Sequence, residues 1–387
     1  MKKYCADLQG GLWLQYNSRE SKWYSKPCCL YKETFPIDEN INLEYWQHPK
    51  IIAERQANLA GEELSHNCYE CKRTEDNNNY SRRQAWNDRL GTEWKLPDSV
   101  IELDIQCDFS CNLACRICSP QFSTLWRQVD PQYKTNKKFK VRANNNSVLN
   151  ILETIPTHNV RQIHFQGGEP LLSNTHIQIL EKMQDYADLS QITLWYHSNG
   201  TQQVSDSVLK FWEKFKMLEI YFSLDDMGPR MEYQRWPLQW NQVHENMLWF
   251  RENLPHNGLL RIERTISVLS AYWADELEQW QQQYFSQSKY GDPITMSYHT
   301  CFGEYSLNAV SNLYRQAVLD KFPSDHWVYK TFTGLGTQQQ YAISTMFTHL
   351  NRHDQLRNQS WKSIYPEFLE WYPEQSNLEY HNKPFYS

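Results

Sequence analysis

Cys111-Asn112-Leu113-Ala114-Cys115-Arg116-Ile117-Cys118 is the stretch whose reading decides the fold. Its three cysteines have three and two residues between them, and they directly follow the apolar–polar run Val100 to Ile105. Three thiolates can hold three corners of a four-iron, four-sulfur cube and leave the fourth iron open to another ligand. A closed structural metal site wants four protein ligands. A compact set of three therefore points to chemistry at the open position. A zinc knuckle or three buried thiols would use the same residues, so the surrounding chain has to separate these readings.

Working outward, six strand-like runs follow one another: Val100 to Ile105, Val160 to Phe165, Ile192 to His197, Leu218 to Leu224, Leu260 to Leu269 and Ile294 to Tyr298. Helical periodicity fills the spaces between them. Asn150 to Ile155 closes one helix, and Thr175 to Leu189 carries Ile177, Leu180 and Met183 on one face. Ser205 or Asp206 can cap a third, and Trp240 to Leu254 and Ala274 to Phe285 give two more. Strand–helix alternation predicts a parallel sheet with right-handed crossovers. In barrels of that kind, active groups gather at the C-terminal ends of the strands.

The candidate residues all fall at such ends. Gln166-Gly167-Gly168-Glu169-Pro170 follows the second strand, about fifty residues after the cysteines. Two glycines let backbone approach a ligand, and a carboxylate accepts hydrogen bonds from a cationic amine. His197-Ser198-Asn199-Gly200-Thr201 ends the third strand and Ser223-Leu224-Asp225-Asp226 the fourth. CxxxCxxC after a strand, paired with GGEP after the next, resembles the radical S-adenosylmethionine (SAM) enzymes. The resemblance implies an α/β fold, a partial (β/α)6 barrel. It also implies a [4Fe-4S] cluster on Cys111, Cys115 and Cys118, with SAM held by Gly167, Gly168, Glu169, Ser198, Asn199, Ser223 and Asp225. The family pattern has glycine where Asp226 stands. Asp226 is expected to shape the substrate pocket, serve as a base or point to solvent. Arg230 and Arg235 are candidates for a substrate carboxylate or for surface ion pairs, and Asp226 and Arg230 are the catalytic candidates. Arg264-Thr265-Ile266-Ser267-Val268 resembles the segment flanking the adenine. Cys107 offers a competing CxxxCxxxC with Cys111 and Cys115, and reads instead as a packed thiol.

The first 95 residues hold five more cysteines, Cys5, Cys28, Cys29, Cys68 and Cys71. Leu12 to Tyr16 alternates like a short strand, and Tyr45 to Ala60 reads as a helix stopped by Gly61. CxxC at Cys68 and Cys71 is a metal half-site, completed by Cys5 and one of Cys28 or Cys29. By spacing, zinc and an iron–sulfur cluster fit equally. The order Cys, hairpin, Pro-Cys-Cys, Trp-bearing helix, CxxC, Ser-x-Arg resembles the auxiliary-cluster module of the twitch (SPASM-related) group. That implies a second iron–sulfur cluster on Cys5, Cys28, Cys68 and Cys71, with Cys29 as the alternative to Cys28. In many relatives the module follows the barrel; here it precedes it. The expected organisation is a cysteine-rich auxiliary domain at 1–95, the barrel at 96–300 and a helical C-terminal extension at 301–387.

Composition narrows the function classes. The chain has 387 residues, a formal net charge of −6 and ten cysteines. No basic block stands out beyond Lys134 to Lys140, so nucleic acid is not an expected partner. Mean hydropathy is −0.76, yet 16 Trp, 24 Tyr and 16 Phe are present, so rings are expected to fill the core. No apolar run approaches the ~20 residues of a membrane span, and Met1 to Cys5 lacks a signal-peptide core. A cytoplasmic location is expected, where thiols bind metal rather than pair as disulfides. Cys301 reads as a lone inert thiol. Asn308 to Phe322 and Ser344 to Leu350 read as helices, and Asp354-x-x-Arg357 leads into an aromatic tail that closes the open side of the barrel.

The resemblance implies reductive cleavage of SAM to a 5′-deoxyadenosyl radical that takes hydrogen from substrate, with the electron supplied by a donor such as flavodoxin or ferredoxin. A peptide substrate is the first expectation and oxidation of a small molecule such as a sugar alcohol the second. A non-catalytic iron–sulfur or SAM-binding partner is the third.

Overall fold

The computed structural model describes residues 4–17, 20, 22–37, 46, 48–106, 109–131 and 145–375, apart from the side chains of 145–147. Cys107, the basic run 134–140 and Tyr45 lie outside the described residues.

All six expected strands form, as β4 (Glu102–Gln106), β5 (Gln162–Gln166), β6 (Thr193–Ser198), β7 (Met217–Ser223), β8 (Gly258–Ile266) and β9 (Thr295–Thr300). Each is parallel to the next. Three earlier strands, β1 (Gly11–Asn17), β2 (Lys22–Lys26) and β3 (Phe35–Ile37), complete one sheet in the order β3-β2-β1-β4-β5-β6-β7-β8-β9. β3 and β9 are its two edges, as expected of a partial rather than a closed barrel. β1 pairs parallel with β4 from Gly11–Glu102 to Leu14–Ile105. The cysteine-rich segment and the barrel therefore share one sheet.

The two faces differ in chemistry because side chains alternate along a strand. Leu103, Ile105, Ile163, Phe165, Leu194, Ile220, Phe222 and Ile262 are fully buried in the main core. The opposite face carries Glu102, Asp104, Gln106, Gln162, His164 and Glu219, buried but polar. One helix of the N-terminal segment, Arg82–Leu90, covers the N-terminal end of that polar face. It begins at a capping box in which Ser81 and Gln84 satisfy each other's backbone amides. Its Trp86 stacks on Trp195 of β6 at 5.6 Å, its Arg89 meets Glu219 of β7 at 2.6 Å, and its Arg82 bridges Asp7 and Glu102. With that end covered, the polar face opens at the C-terminal ends of the strands.

The earlier helix is Pro49–Ala60, and Gly61 ends it in the left-handed conformation at φ 77°. The C-terminal extension is helical as expected, with Asn312–Lys321, Trp327–Thr333 and Gln340–Arg357 as its main helices. It packs a second core, rich in rings, around Tyr314, Phe347, Trp361, Phe368 and Trp371, and shares it with Tyr233, Ile266 and Trp273 of the preceding segment. Among the described residues no helix is long and apolar enough to cross a membrane.

Candidate active site

A cleft of about 630 Å³ opens at the C-terminal ends of the strands, lined by Cys111, Cys115, Cys118, Gly167, Gly168, Glu169, Ser198, Asn199 and Ser223 among others. Residues far apart in sequence therefore meet where the strand order requires. The joins are specific. Glu169 N donates to the Ser110 carbonyl at 2.8 Å, and a Cβ on Gly168 would lie 2.3 Å from that same oxygen. Only glycine lets the two loops touch here. Gly167 has φ 130°, a backbone that side chains disfavour. From the end of β6, Asn199 Nδ2 donates to Asn112 Oδ1 at 3.1 Å, and Asn112 donates to Thr201 at 2.9 Å. The cysteine loop is thus held by the ends of β5 and β6.

Glu169 is buried and accepts from Leu171 N at 3.1 Å, Ser198 Oγ at 3.0 Å and Asn199 N at 2.6 Å. A carboxylate has about four acceptor sites, so one is left for an incoming ammonium. Burial, opposed by these donors, raises its pKa to about 7. A cation beside it would favour the ionised form.

Each of the three thiols is pushed upward by burial. For Cys111 and Cys118 the next cause is the neighbouring Cys115, and Cys118 reaches about 12. Cys115 is raised too, with Arg235 acting against the rise. Three buried thiolates are costly together unless a cation compensates them, and iron bound through sulfur does so. The donor set is thiol-only and soft, and it stands at a roomy cleft, so these residues fit an iron–sulfur cluster. Among the described residues no group of three or more His, Cys, Asp or Glu side chains is arranged around a single metal ion.

Asp225 does not line the cleft. It is buried, accepts from Thr265 N at 3.0 Å and holds Arg235 at 2.8 Å. Arg235 does line the cleft. Asp226 is fully buried rather than solvent-facing, and it binds Met227 N, Arg230 and Gln234. Arg230 joins Asp226 at 3.1 Å and also meets Glu276. Neither reaches the cleft, so the expected catalytic pair is an internal ion pair: the side chain in the glycine position turns into the protein. Arg264 likewise serves the backbone, donating to the carbonyls of Asp225, Ala274 and Ser270. Cys301 is buried, raised to about 12 by that burial, and off the cleft.

In the N-terminal segment Cys5, Cys28, Cys68 and Cys71 line one pocket together with Asp7, Arg82 and Arg83. Cys29 does not. After burial, the charges that act on Cys29 are Arg82, which lowers it, and then Asp104 of β4, which raises it. Cys5 and Cys28 are raised by burial and then by Asp7, with smaller contributions from neighbouring thiols. Of the two alternatives, Cys28 is the one that shares the pocket.

Three features were missed in the sequence. Arg116, between two of the cysteines, is anchored to Asp354 at 2.6 Å, and Arg357 donates to the Ala114 carbonyl. Asp354-x-x-Arg357 therefore braces the cysteine loop. His197 and Glu263 line the cleft, as does Phe302, which is 87% exposed. The alternation of polar residues along Gln162-Ile163-His164-Phe165-Gln166 was the available signal for a polar interior.

No protein-family model and no curated protein matches the sequence. Among solved structures the chain is similar to anSMEcpe with bound AdoMet, at 17% identity and a TM-score of 0.39, covering 68% of this chain and 65% of that one. It is similar to Streptococcus suis SuiB bound to S-adenosylmethionine at 14% identity and a TM-score of 0.37, covering 76% and 64%. A structure of TYW1 with a lysine-pyruvate adduct bound aligns at 11% identity and a TM-score of 0.31, covering 60% and 70%. The chain thus covers less than two thirds of the anSMEcpe and SuiB chains. Likenesses this remote decide nothing about chemistry, and the chain's own residues have to carry its function.

Proposed function

We propose that this chain is a radical SAM enzyme that takes a hydrogen atom from a peptide or peptide-like substrate. One observation carries the reading: Cys111, Cys115, Cys118, Gly167 to Glu169, Ser198, Asn199 and Ser223 all line one cleft at the strand ends. When bound, a four-iron cluster on the three cysteines supplies the electron that splits SAM into methionine and a 5′-deoxyadenosyl radical. Glu169 accepts the amino group of SAM with its remaining lone pair. Gly167 and Gly168 bring the backbone close enough for that contact. Asn199 and Asn112 hold the cysteine loop against β6. Asp225 fixes Arg235, whose charge faces Cys115 and Cys118 and offsets thiolate charge. Cys5, Cys28, Cys68 and Cys71 hold a second iron–sulfur cluster. The reducing electron comes from an external carrier such as flavodoxin or ferredoxin. The breadth of the cleft and the exposed Phe302 at its lining favour a peptide over a small polar molecule.

Anaerobic reconstitution with iron and sulfide, followed by dithionite and SAM, tests this. Formation of 5′-deoxyadenosine that disappears in Cys115→Ala is expected. SAM bound without cleavage, with or without added peptides, would leave a binding protein rather than an enzyme.

A further inference from the structure

The two edges of the sheet are built differently. β3 is three residues long and carries Pro36. Shortness and proline are two ways in which proteins guard an edge against unwanted pairing, and lysine is a third. β9 reads Thr295-Met296-Ser297-Tyr298-His299-Thr300, six residues with no proline and no lysine. All but Met296 are exposed. Met296 is half-buried against the main core. The usual guards are missing from this strand, although it borders the cleft.

The ladder register fixes which backbone groups are free. β9 runs parallel to β8, with Ile262 opposite Met296, Arg264 opposite Tyr298 and Ile266 opposite Thr300. Just past the strand, Cys301 N donates to the Ile266 carbonyl at 2.7 Å. In a parallel ladder alternate residues turn both backbone groups to the same neighbour, so Thr295, Ser297 and His299 face β8 as Cys301 does. The N–H and C=O groups of Met296, Tyr298 and Thr300 therefore point away from the sheet. Among the described residues none of these six groups has a hydrogen-bond partner. They form a row about 13 Å long, at ~3.3 Å per residue. On one side of the row Tyr298 stacks on Trp327 at 4.1 Å. On the other, His299 reaches Glu263 at 2.8 Å, and Glu263 lines the cleft. Two residues beyond Thr300 stands Phe302, which lines the cleft together with Glu304 and Tyr305. The open edge thus runs directly into the site.

We propose that the substrate peptide docks on β9: its backbone adds to the sheet as a further strand, and its reactive residue passes Phe302 into the cleft. Strand addition draws affinity from main-chain hydrogen bonds and specificity from alternate side chains. Donors and acceptors repeating at the spacing of a strand match an extended peptide and offer nothing to a small polar molecule. The edge also selects a kind of peptide. Alternate residues lie against the Tyr298–Trp327 stack and want apolar side chains. Those between them face the side of Ser297 and His299 and want polar ones. Continuity of the edge with the cleft favours a substrate over a second copy of this chain, whose pairing would make no use of the site. The proposal deepens the reading of the cleft as an active site and rests on it for the chemistry, but docking itself needs neither SAM nor its cleavage.

Selection of a phage-displayed library of random dodecapeptides against the full-length protein tests the docking, with the enriched peptides then synthesised. Thr300→Pro removes one outward N–H and sets a ring in the row, while taking no bond from the β8–β9 ladder. Thr300→Ala keeps the N–H and serves as its comparison. The enriched peptides are expected to bind Thr300→Pro at least about tenfold more weakly than Thr300→Ala. N-methylation of alternate peptide amides should abolish binding, and methylation of the amides between them should not. Bound peptide should slow hydrogen exchange at the amides of Met296, Tyr298 and Thr300. No enriched peptide, or binding indifferent to both Thr300→Pro and N-methylation, would overturn the proposal. Dimers that form with rising concentration and vanish in Thr300→Pro would give the edge to a second copy and overturn it as well. If Thr300→Pro does not fold, the methylated peptides and the exchange pattern still decide. Formation of 5′-deoxyadenosine is read separately. Its absence overturns the cofactor reading, while peptide binding that ignores β9 overturns the docking whatever happens to SAM.

Discussion

Replacing Asp354 should unsettle the cysteine loop from more than two hundred residues away. Its Oδ1 accepts from Arg116 at 2.6 Å and from the Tyr233 hydroxyl at 2.7 Å, and its Oδ2 accepts from Trp361 N at 2.6 Å. The Arg116 side chain is 0% exposed and its guanidinium lies 3.6 Å from the centre of the Tyr233 ring. Asp354→Ala leaves that guanidinium buried with no anion, and breaking a buried pair in this way costs about 3–5 kcal/mol. Asp354→Asn keeps the shape and an acceptor but not the charge, and should fall between the variant and wild type. The double change Arg116→Met, Asp354→Leu removes both charges. It should recover much of the loss, because the penalty comes from the stranded cation more than from the missing bonds. Urea denaturation of the as-purified protein measures all four forms, and iron retained after desalting reports the loop itself. The reasoning fails if Asp354→Ala stays within about 0.5 kcal/mol of wild type, as a surface change would. It also fails if the double variant is as unstable as the single one.

Three further outcomes are expected. Gly168→Ala drives a Cβ against the Ser110 carbonyl, so it should lower SAM-dependent turnover far more than it lowers the unfolding midpoint; equal turnover would refute the close approach. Asp226, at about 6, binds its proton more tightly folded than unfolded, so its contribution to stability is present below pH ~4 and is lost as pH rises through about 6, by up to ~3 kcal/mol. Asp226→Asn should remove that dependence, and parallel stability–pH curves for variant and wild type would contradict it. Cys68→Ala with Cys71→Ala should lower bound iron from about eight to about four per chain and leave SAM cleavage in place; bound zinc at this site in the wild type would refute the second cluster.

The strands and the loops at their C-terminal ends were legible because each is written locally. Ile163 and Phe165 or Ile220 and Phe222 mark buried strands, and the cysteines and Gly167 to Glu169 carry spacings that few other sites would need. What lay beyond reach was pairing across distance. Arg116 and Asp354 are 238 residues apart, and nothing near either one announces the other. Asp226 and Arg230 misled because a carboxylate and a guanidinium one helical turn apart look the same whether they face a substrate or each other. Here the burial of Asp226 makes them partners. Cys28 and Cys29 are adjacent, and only the pocket shared with Cys5, Cys68 and Cys71 separates them. The strand β1 was readable, but its parallel pairing with β4 was not, since short alternating runs commonly form hairpins. The contact between His164 and His197 on the inner face was hidden for a similar reason: they are 33 residues apart, and each alone reads as an ordinary polar residue in a strand.

The most direct test of the central claim is SAM cleavage by the anaerobically reconstituted, dithionite-reduced protein, compared with Cys111→Ala, Cys115→Ala and Cys118→Ala. The account predicts 5′-deoxyadenosine and methionine in equal amounts from the wild type and none from any of the three variants. Wild-type protein that carries its iron and binds SAM but forms no 5′-deoxyadenosine would contradict it.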